Sequence, residues 1–306
     1  MLKKIRILLA VIMLGSLLSL FVNLGSNFSR YFFWAVKLQF VPALLSLSWP
    51  FLLLWLAITF ISGRLYCSVI CPLGIMQDVF SYFGTKYRRQ PKFIYRSPLI
   101  KLRYTILFIY IIALVFGLGV IVSFFAPYAT FGRLVVNFVN PTAVWITNLV
   151  ASGLTEIGYS NIYRSQYFTV DCLNFVISGL WGIIIAIVAF FFGRLYCNSI
   201  CPVGTALGVI SCRALYQIRI DEQKCVKCGL CAHNCKVECI DIGHGNVDNS
   251  RCVKCFNSLF FASELNCLDT CHKGAITFNC KAAIKKSISN KDERLKPLSL
   301  EVKNNE

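Results

Sequence analysis

Acidic side chains are scarce in this sequence, and histidine is nearly absent. Aspartate and glutamate number 14 of 306 residues, and only Asp78, Glu156 and Asp171 fall within residues 1–192. Charged residues of either sign make up 15%, against about 25% in soluble domains, which excludes an ordinary cytosolic enzyme. The three histidines, His233, His244 and His272, all lie outside the apolar runs, so intramembrane bis-histidine haem is excluded. Covalent c-type haem is excluded as well, since Cys-x2-Cys-His does not occur. Nucleotide binding has no support, because there is neither a P-loop nor a glycine-rich turn between strand and helix.

Apolar side chains and cysteine are what the chain has in excess. Hydrophobic residues reach 57%, with sixteen cysteines and a net charge of +17. Mean hydropathy is +0.64. The two excesses are separated along the chain: residues 193–306 carry 13 of the 16 cysteines. Crossing the hydrocarbon of a bilayer takes about 20 apolar residues. Four uncharged runs predict spans, centred on Ile7–Val22, Leu44–Ile61, Tyr104–Phe125 and Cys172–Phe192. A fifth run, 134–155, is interrupted by Asn137, Asn140, Pro141, Thr142 and Asn148 and reads as interfacial or re-entrant. The N-terminus resembles a secretory signal, but its apolar run exceeds the usual ~7–15 residues and lacks a small-x-small cleavage site, so an uncleaved anchor is expected. With four spans, 27 Lys/Arg fall on one side and four on the other. The positive-inside rule then puts both termini in the cytoplasm of a multi-pass protein of the bacterial inner membrane. The same topology accounts for the basic balance without nucleic acid. Residues 86–96, KYRRQPKFIYR, are expected against anionic headgroups.

The chain repeats itself. FISGRLYCSVICPLG (60–74) recurs as FFGRLYCNSICPVG (191–204) at an offset of 130. Each copy follows a hydrophobic span, which predicts a parallel repeat about an axis along the membrane normal. Such a pairing brings Cys67 and Cys71 opposite Cys197 and Cys201 near the inner interface. Cysteines four apart share a helical face, and Pro72 or Pro202 suits the first turn of the next helix. Four converging thiolates would hold a metal, an iron–sulfur centre or a redox site.

Residues 225–239, CVKCGLCAHNCKVEC, contain the Cys-x2-Cys-x2-Cys-x3-Cys ligand run of bacterial [4Fe–4S] proteins, with Lys236 where proline is usual. A second run, CVKCFNSLFFASELNCLDTC (252–271), matches once nine residues, 258–266, are read as an insertion. By ferredoxin logic one cluster takes Cys225, Cys228, Cys231 and Cys271, and the other takes Cys252, Cys255, Cys267 and Cys235. The link DIGHGNVDNSR suits a short hairpin. Cys172, Cys212, Cys239 and Cys280 have no partner at ligand spacing and read as buried packing.

The expected fold is therefore an all-α membrane bundle of four transmembrane helices with an internal parallel repeat, followed by a small α+β bacterial-ferredoxin-like domain. Its boundaries are 1–210 for the bundle, with halves 1–85 and 100–210, then 211–281 for the two-cluster domain and 282–306 for a basic tail. Residues 28–45 and 127–168 are rich in aromatics and suit a quinone pocket, where Glu156 and Asp171 are the candidate quinol proton acceptors.

With these motifs, the chain resembles the NapH-type quinol dehydrogenase membrane components over roughly residues 1–280. Relatives with the same core include a membrane regulator of nitrous-oxide reduction and an oxidase-assembly protein with polyferredoxin modules. The resemblance implies a membrane subunit relaying electrons between a menaquinone or ubiquinone pool and a redox partner protein through two [4Fe–4S] clusters. Carried over by position, Cys67, Cys71, Cys197 and Cys201 match the paired membrane-side motifs, and the eight module cysteines match the cluster ligands. Lys236 and His272 replace the usual prolines, and the nine-residue insertion is atypical. The implied role is that of an electron-transfer component within a larger oxidoreductase. The rival class is an assembly or redox- and metal-sensing regulatory protein.

Overall fold

The computed structural model describes residues 2–22, 31–87, 93–156, 171–255 and 267–280. In the first half, α1 (Leu2–Val22) is followed by α2 (Trp34–Lys37), α3 (Phe40–Leu45), α4 (Trp49–Ser62), α5 (Tyr66–Val69) and α6 (Pro72–Tyr87). The second half holds α7 (Ile100–Val115), α8 (Gly119–Phe125), α9 (Pro127–Leu134), a π-helical turn (Val135–Val139) and α10 (Asn140–Glu156). It ends in α11 (Cys172–Phe192), α12 (Leu195–Ser199) and α13 (Pro202–Ser211). The repeat seen in the sequence is thus a repeat of elements. In both halves a long apolar helix, a single helical turn bearing the first cysteine, and a proline-started helix follow one another.

Two of the four expected spans are not single helices. The run Leu44–Ile61 is broken between α3 and α4, where Leu47 takes a positive φ of 50°. The run Tyr104–Phe125 breaks after Val115, where Gly117 takes φ 69°. There α8 folds back on α7, and Val122 packs against Tyr110 and Ala113. Both breaks use residues that leave the average hydropathy high, so a composition window passes over them. The segment expected to be interfacial or re-entrant is instead part of one helical run. Two stretches among the described residues are long and apolar enough to cross a membrane, Pro127–Gly153 and Cys172–Phe192. The π-turn accommodates the polar residue in the first of these: Asn137 donates to Ser178 Oγ at 2.9 Å, inside the helix pair. A π-bulge of this sort is a recognised way to re-aim one side chain without ending a helix.

The exterior of the bundle is apolar. Leu173, Leu180, Ile183 and Ile187 on α11 and Leu53, Leu54 and Phe60 on α4 all stand more than 40% exposed. An outward-facing apolar surface of this extent is costly in water and suited to lipid.

The cysteine-rich module follows α13. Strand β1 (Tyr216–Ile220) pairs antiparallel with β4 (Ile276–Cys280), joining the module's two ends. Between them lie α14 (Leu230–His233), β2 (Ile240–Asp241), β3 (Asn246–Val247) and α15 (Cys267–Thr270). The expected hairpin is β2–β3, with Ile240 opposite Val247. Of the expected insertion, residues 258–266 lie outside the described residues, as does the tail 282–306.

Packing between the halves is closest where α6 meets α11. A Cβ added at Gly84 would lie 2.0 Å from the Phe190 carbonyl oxygen, a backbone atom that cannot swing aside. Gly84→Ala is therefore expected to lower the melting temperature of the detergent-solubilised protein, at an overpacking cost of about 1–3 kcal/mol. Gly15→Ala, where a Cβ meets open space, should be neutral or slightly stabilising. Equal melting shifts for the two would contradict the close approach.

Candidate cysteine sites and the seam between them

The paired motifs come together as the repeat predicted. Cys67, Cys71, Cys197 and Cys201 are all buried in one core with Tyr66 and Tyr196. Their geometry is duplicated in detail. A Cβ at Gly74 would fall 2.5 Å from Cys67 O, and one at Gly204 would fall 2.3 Å from Cys197 O. Glycine in Cys-Pro-x-Gly thus lets the first turn of α6 or α13 press against the cysteine turn before it. The Gly204 amide donates to Cys201 Sγ at 3.4 Å, which points the thiol back at the helix start.

The two arginines of the Gly-Arg-Leu-Tyr motifs cross over. Arg194 donates through Nη1 to Cys67 O at 2.8 Å, and Arg64 donates through Nη2 to Cys197 O at 3.2 Å. Each repeat's arginine thereby holds the cysteine turn of the other, and both are 0% exposed.

Their counter-charges differ. Arg194 meets Asp78, with Nε–Oδ1 at 2.6 Å and Nη2–Oδ2 at 2.7 Å. Lys236 Nζ adds a contact to Asp78 Oδ2 at 2.7 Å, and Arg6 Nη2 one at 3.4 Å. Burial alone would raise the Asp78 carboxyl, but Arg194 and Lys236 overturn that and hold it well below the usual carboxylate range. The offset of 130 aligns Asp78 with Gly208, so the second repeat has no carboxylate there. A Cβ at Gly208 would sit 2.7 Å from Ser250 O, so the backbone of the module occupies the vacated space. Arg64 Nη1 donates to Ser250 O at 3.1 Å, Arg251 O at 3.2 Å and Asn198 Oδ1 at 3.0 Å. Among the described residues no carboxylate pairs with Arg64, and its Nε has no hydrogen-bond partner. A fully buried cation without an acid is costly unless some other negative charge faces it. Arg64 Nη2 lies 3.9 Å from Cys67 Sγ, and thiolate is the negative charge within reach.

Burial pushes the Cys197 thiol up to about 11 in spite of Arg194, and pushes Cys71 and Cys201 further up with help from the neighbouring thiols. Thiols in such surroundings ionise when a cation takes the place of the proton.

In the module, the two expected ligand sets line two separate cavities. Cys225, Cys228, Cys231 and Cys271 share one of about 210 Å³ walled by Ile220, Val226, Leu230, Ile242 and Ile276. Cys235, Cys252, Cys255 and Cys267 share the other, of about 20 Å³. A quartet of thiols beside an apolar wall is the donor set that a [4Fe–4S] cluster takes. Among the described residues no three His, Cys, Asp or Glu side chains form a group suited to a single metal ion. Both Cys-Val-Lys-Cys turns fold alike, with Lys227 at φ 51° and Lys254 at φ 48°.

The second cavity adjoins the bundle. Arg194 N donates to Lys236 O at 3.0 Å, and Asn198 Nδ2 to Val237 O at 3.1 Å. Arg6 Nη1 reaches Cys255 O. The residues beyond 92 also turn inward: Phe93 O accepts from His233 Nδ1 at 3.0 Å, and Arg96 pairs with Glu238 at 3.3 Å. That part of the basic loop clamps the module, where headgroups were expected; residues 88–92 lie outside the described residues. Lys236, which stands where proline is usual, is a docking residue whose ammonium joins the Asp78 centre.

Other expected residues fall elsewhere. Cys172 and Cys212 are exposed and Cys280 is half-buried, so none is the buried packing cysteine expected. The fourth, Cys239, is buried in the second cavity itself. Asp171 is exposed at the start of α11, where its carboxylate accepts from Asn174 Nδ2 at 3.3 Å. Glu156 ends α10, and its side chain lies outside the described residues. Gln39 was not expected. It is fully buried, accepts from Tyr66 OH at 3.0 Å and donates to Ile70 O at 3.2 Å, holding the first cysteine turn from the opposite side. Tyr196, the equivalent of Tyr66 in the second repeat, is buried edge-on against the Trp181 ring, with ring centroids 6.1 Å apart.

The sequence pattern of a 4Fe-4S binding domain family matches residues 45–90 and 173–213. These two stretches carry the paired motifs, and the module lies outside them. An uncharacterized protein of Methanocaldococcus jannaschii is 30% identical over 30% of this chain and 33% of its own length. A second uncharacterized protein of that organism is 25% identical over 72% of this chain and 74% of its own. The "Putative electron transport protein YccM" of Escherichia coli is 23% identical over 74% of this chain and 57% of its own length. This chain thus spans a third of the first relative and little more than half of the third. No solved structure matches it.

Asp78→Asn is expected to strip the compensating charge from Arg194, Lys236 and Arg6 at a cost of roughly 3–5 kcal/mol. The folded carboxyl lies below its unfolded value of about 3.9, so its contribution is complete above that pH and is lost as pH falls beneath it. Melting curves between neutral pH and pH 3 test this. The wild type should lose more stability over that range than Asp78→Asn, and parallel pH curves would contradict the assignment.

Proposed function

We propose that this protein is a membrane-bound electron-transfer subunit, with iron–sulfur centres at the paired membrane-side cysteines and at both module sites. One observation carries the reading: the second module cavity is tied to the paired-cysteine core by Arg64, Arg194 and Lys236, with no gap in the chain of buried contacts. The 4Fe-4S family match at the paired motifs and the electron-transport name of the E. coli relative support it. Bound at these sites, clusters supply one-electron transfer.

The chain's own residues do the rest. The crossed arginines fix the two cysteine turns against each other. Arg64 sets an uncompensated positive charge beside the paired site, which favours added negative charge there. Asp78 bridges Arg194 and Lys236, which ties the module to one position on the bundle. Isoleucine and valine line the first module site, while Cys228 reaches the surface and provides a way out toward a soluble partner. The apolar exterior seats the bundle in lipid as a multi-pass protein, and the quinone pool is the membrane-side redox partner in this reading. The four-span topology with cytoplasmic termini belongs to the same proposal, with α1, the broken α3–α4 run, α7 and α11 as its spans and the helical run Pro127–Gly153 lying at the interface or re-entering without a fifth crossing.

Iron and sulfide quantitation with redox-titrated EPR tests it. Cys67→Ser with Cys197→Ser is expected to remove about four irons per chain while leaving the module's signals intact. Unchanged iron with loss of copper or zinc would instead favour the metal-handling alternative. Arg64→Gln should lower the midpoint potential of the membrane-side centre, since a nearby cation favours the reduced form. An unmoved potential would remove Arg64 from that role. Iron-replete protein whose signals ignore added menaquinol analogues would sink the quinone part.

A further inference from the structure

The module carries an internal correspondence that its cysteine count conceals. Glu238 and Gly274 each lie three residues beyond a ligand cysteine, Cys235 and Cys271, and both adopt positive φ, 53° and 58°. Their amides donate to the carbonyl of that cysteine at 2.8 and 2.9 Å. In the next position the Ala275 amide donates to Cys271 Sγ at 3.3 Å, and the Cys239 amide likewise bonds the Cys235 sulfur. Cys239 and Ala275 are therefore structural equivalents. Each lines the cavity of its own half: Ala275 the first, Cys239 the second.

The second cavity accordingly holds five thiols, Cys235, Cys239, Cys252, Cys255 and Cys267, where a [4Fe–4S] cluster takes four. Cys239 is 1% exposed, and its sulfur lies 3.6 Å from that of Cys235. A thiol placed against a cluster wall, at a position where the other half has a methyl group, is a ready donor to iron. We propose that Cys239 is a spare ligand of the second cluster, able to take the corner held by Cys235. Either thiol would hold that corner as its thiolate, with the proton resting on whichever of Cys235 and Cys239 is left free, so the change of ligand would need no redox partner. Such a site tolerates loss of one ligand where the first site, with Ala275, does not.

This inference rests on the iron–sulfur reading of the module, and one set of full-length variants separates the two. Iron, sulfide and the EPR signals of the reduced protein are measured for the wild type, Cys235→Ser, Cys239→Ser and the double variant. The first-site signal serves as the folding control in each. Single variants are expected to keep all their iron, and Cys235→Ser should show a changed second-site spectrum. The double variant should lose about four irons. Loss of about four irons from Cys235→Ser alone, with the first-site signal intact, overturns the spare-ligand proposal. So does the same loss from Cys239→Ser alone. Cys271→Ser provides the contrast: its cavity has no fifth thiol, and about four irons should go. Wild-type protein without iron in the module would overturn the underlying reading instead.

Discussion

The buried pair between Arg194 and Asp78 is the constraint on which the rest of the molecule depends. A guanidinium with no exposure is unfavourable unless its charge and donors are met in fixed geometry. Here the two-point contact with Asp78 meets the charge, and the remaining donor holds the turn of Cys67. Asp78 in turn fixes Lys236, one residue beyond Cys235. One carboxylate thus sets the register between the two halves of the bundle and between bundle and module. If it moved, the paired cysteines and the second cavity would lose their common frame together.

The reciprocal arginine works under a different electrostatic condition. Arg64 finds four carbonyl oxygens and a thiol, all of them neutral while the thiol keeps its proton. Five acceptors offset much of the desolvation, yet the net charge stays. Arg64 therefore sets a positive charge without a carboxylate of its own beside the paired cysteines, at low dielectric. Anionic thiolates gain more from that environment than they would from a symmetric arrangement with two acids. The same field explains why Cys197, flanked by Arg194 and Arg64, is raised less than Cys71 and Cys201.

Much of the site was legible because its cysteine sets are written in short spacings. The two module quartets, the paired Cys-x3-Cys-Pro motifs and the β2–β3 hairpin all depend on residues close in sequence, and the structure groups them as the spacing predicts. The helix breaks were not legible, because Leu47 and Gly117 turn the chain by positive φ while the amides around them still bond back to the preceding turn, and mean hydropathy stays too high to mark a boundary. Long-range partners left no local trace either. Nothing near Lys236 signals Asp78, which lies 158 positions away. Nothing near Arg64 signals Ser250. Cys239 was set aside for want of a neighbour at ligand spacing. Its meaning emerges only when the two loops are superposed by backbone conformation. A lysine in place of proline was readable as a departure, but its use as a docking contact required the fold.

Gly208 has a further consequence. In a strictly symmetric ancestor with aspartate at both positions, both arginines would be neutralised and neither face would admit the backbone of the module. With glycine at both, two sockets would compete for one module and two buried cations would stand unmatched. Glycine at one position and aspartate at the other leaves a single place where the module's backbone can enter, so one missing side chain decides which half receives the module and which half braces it.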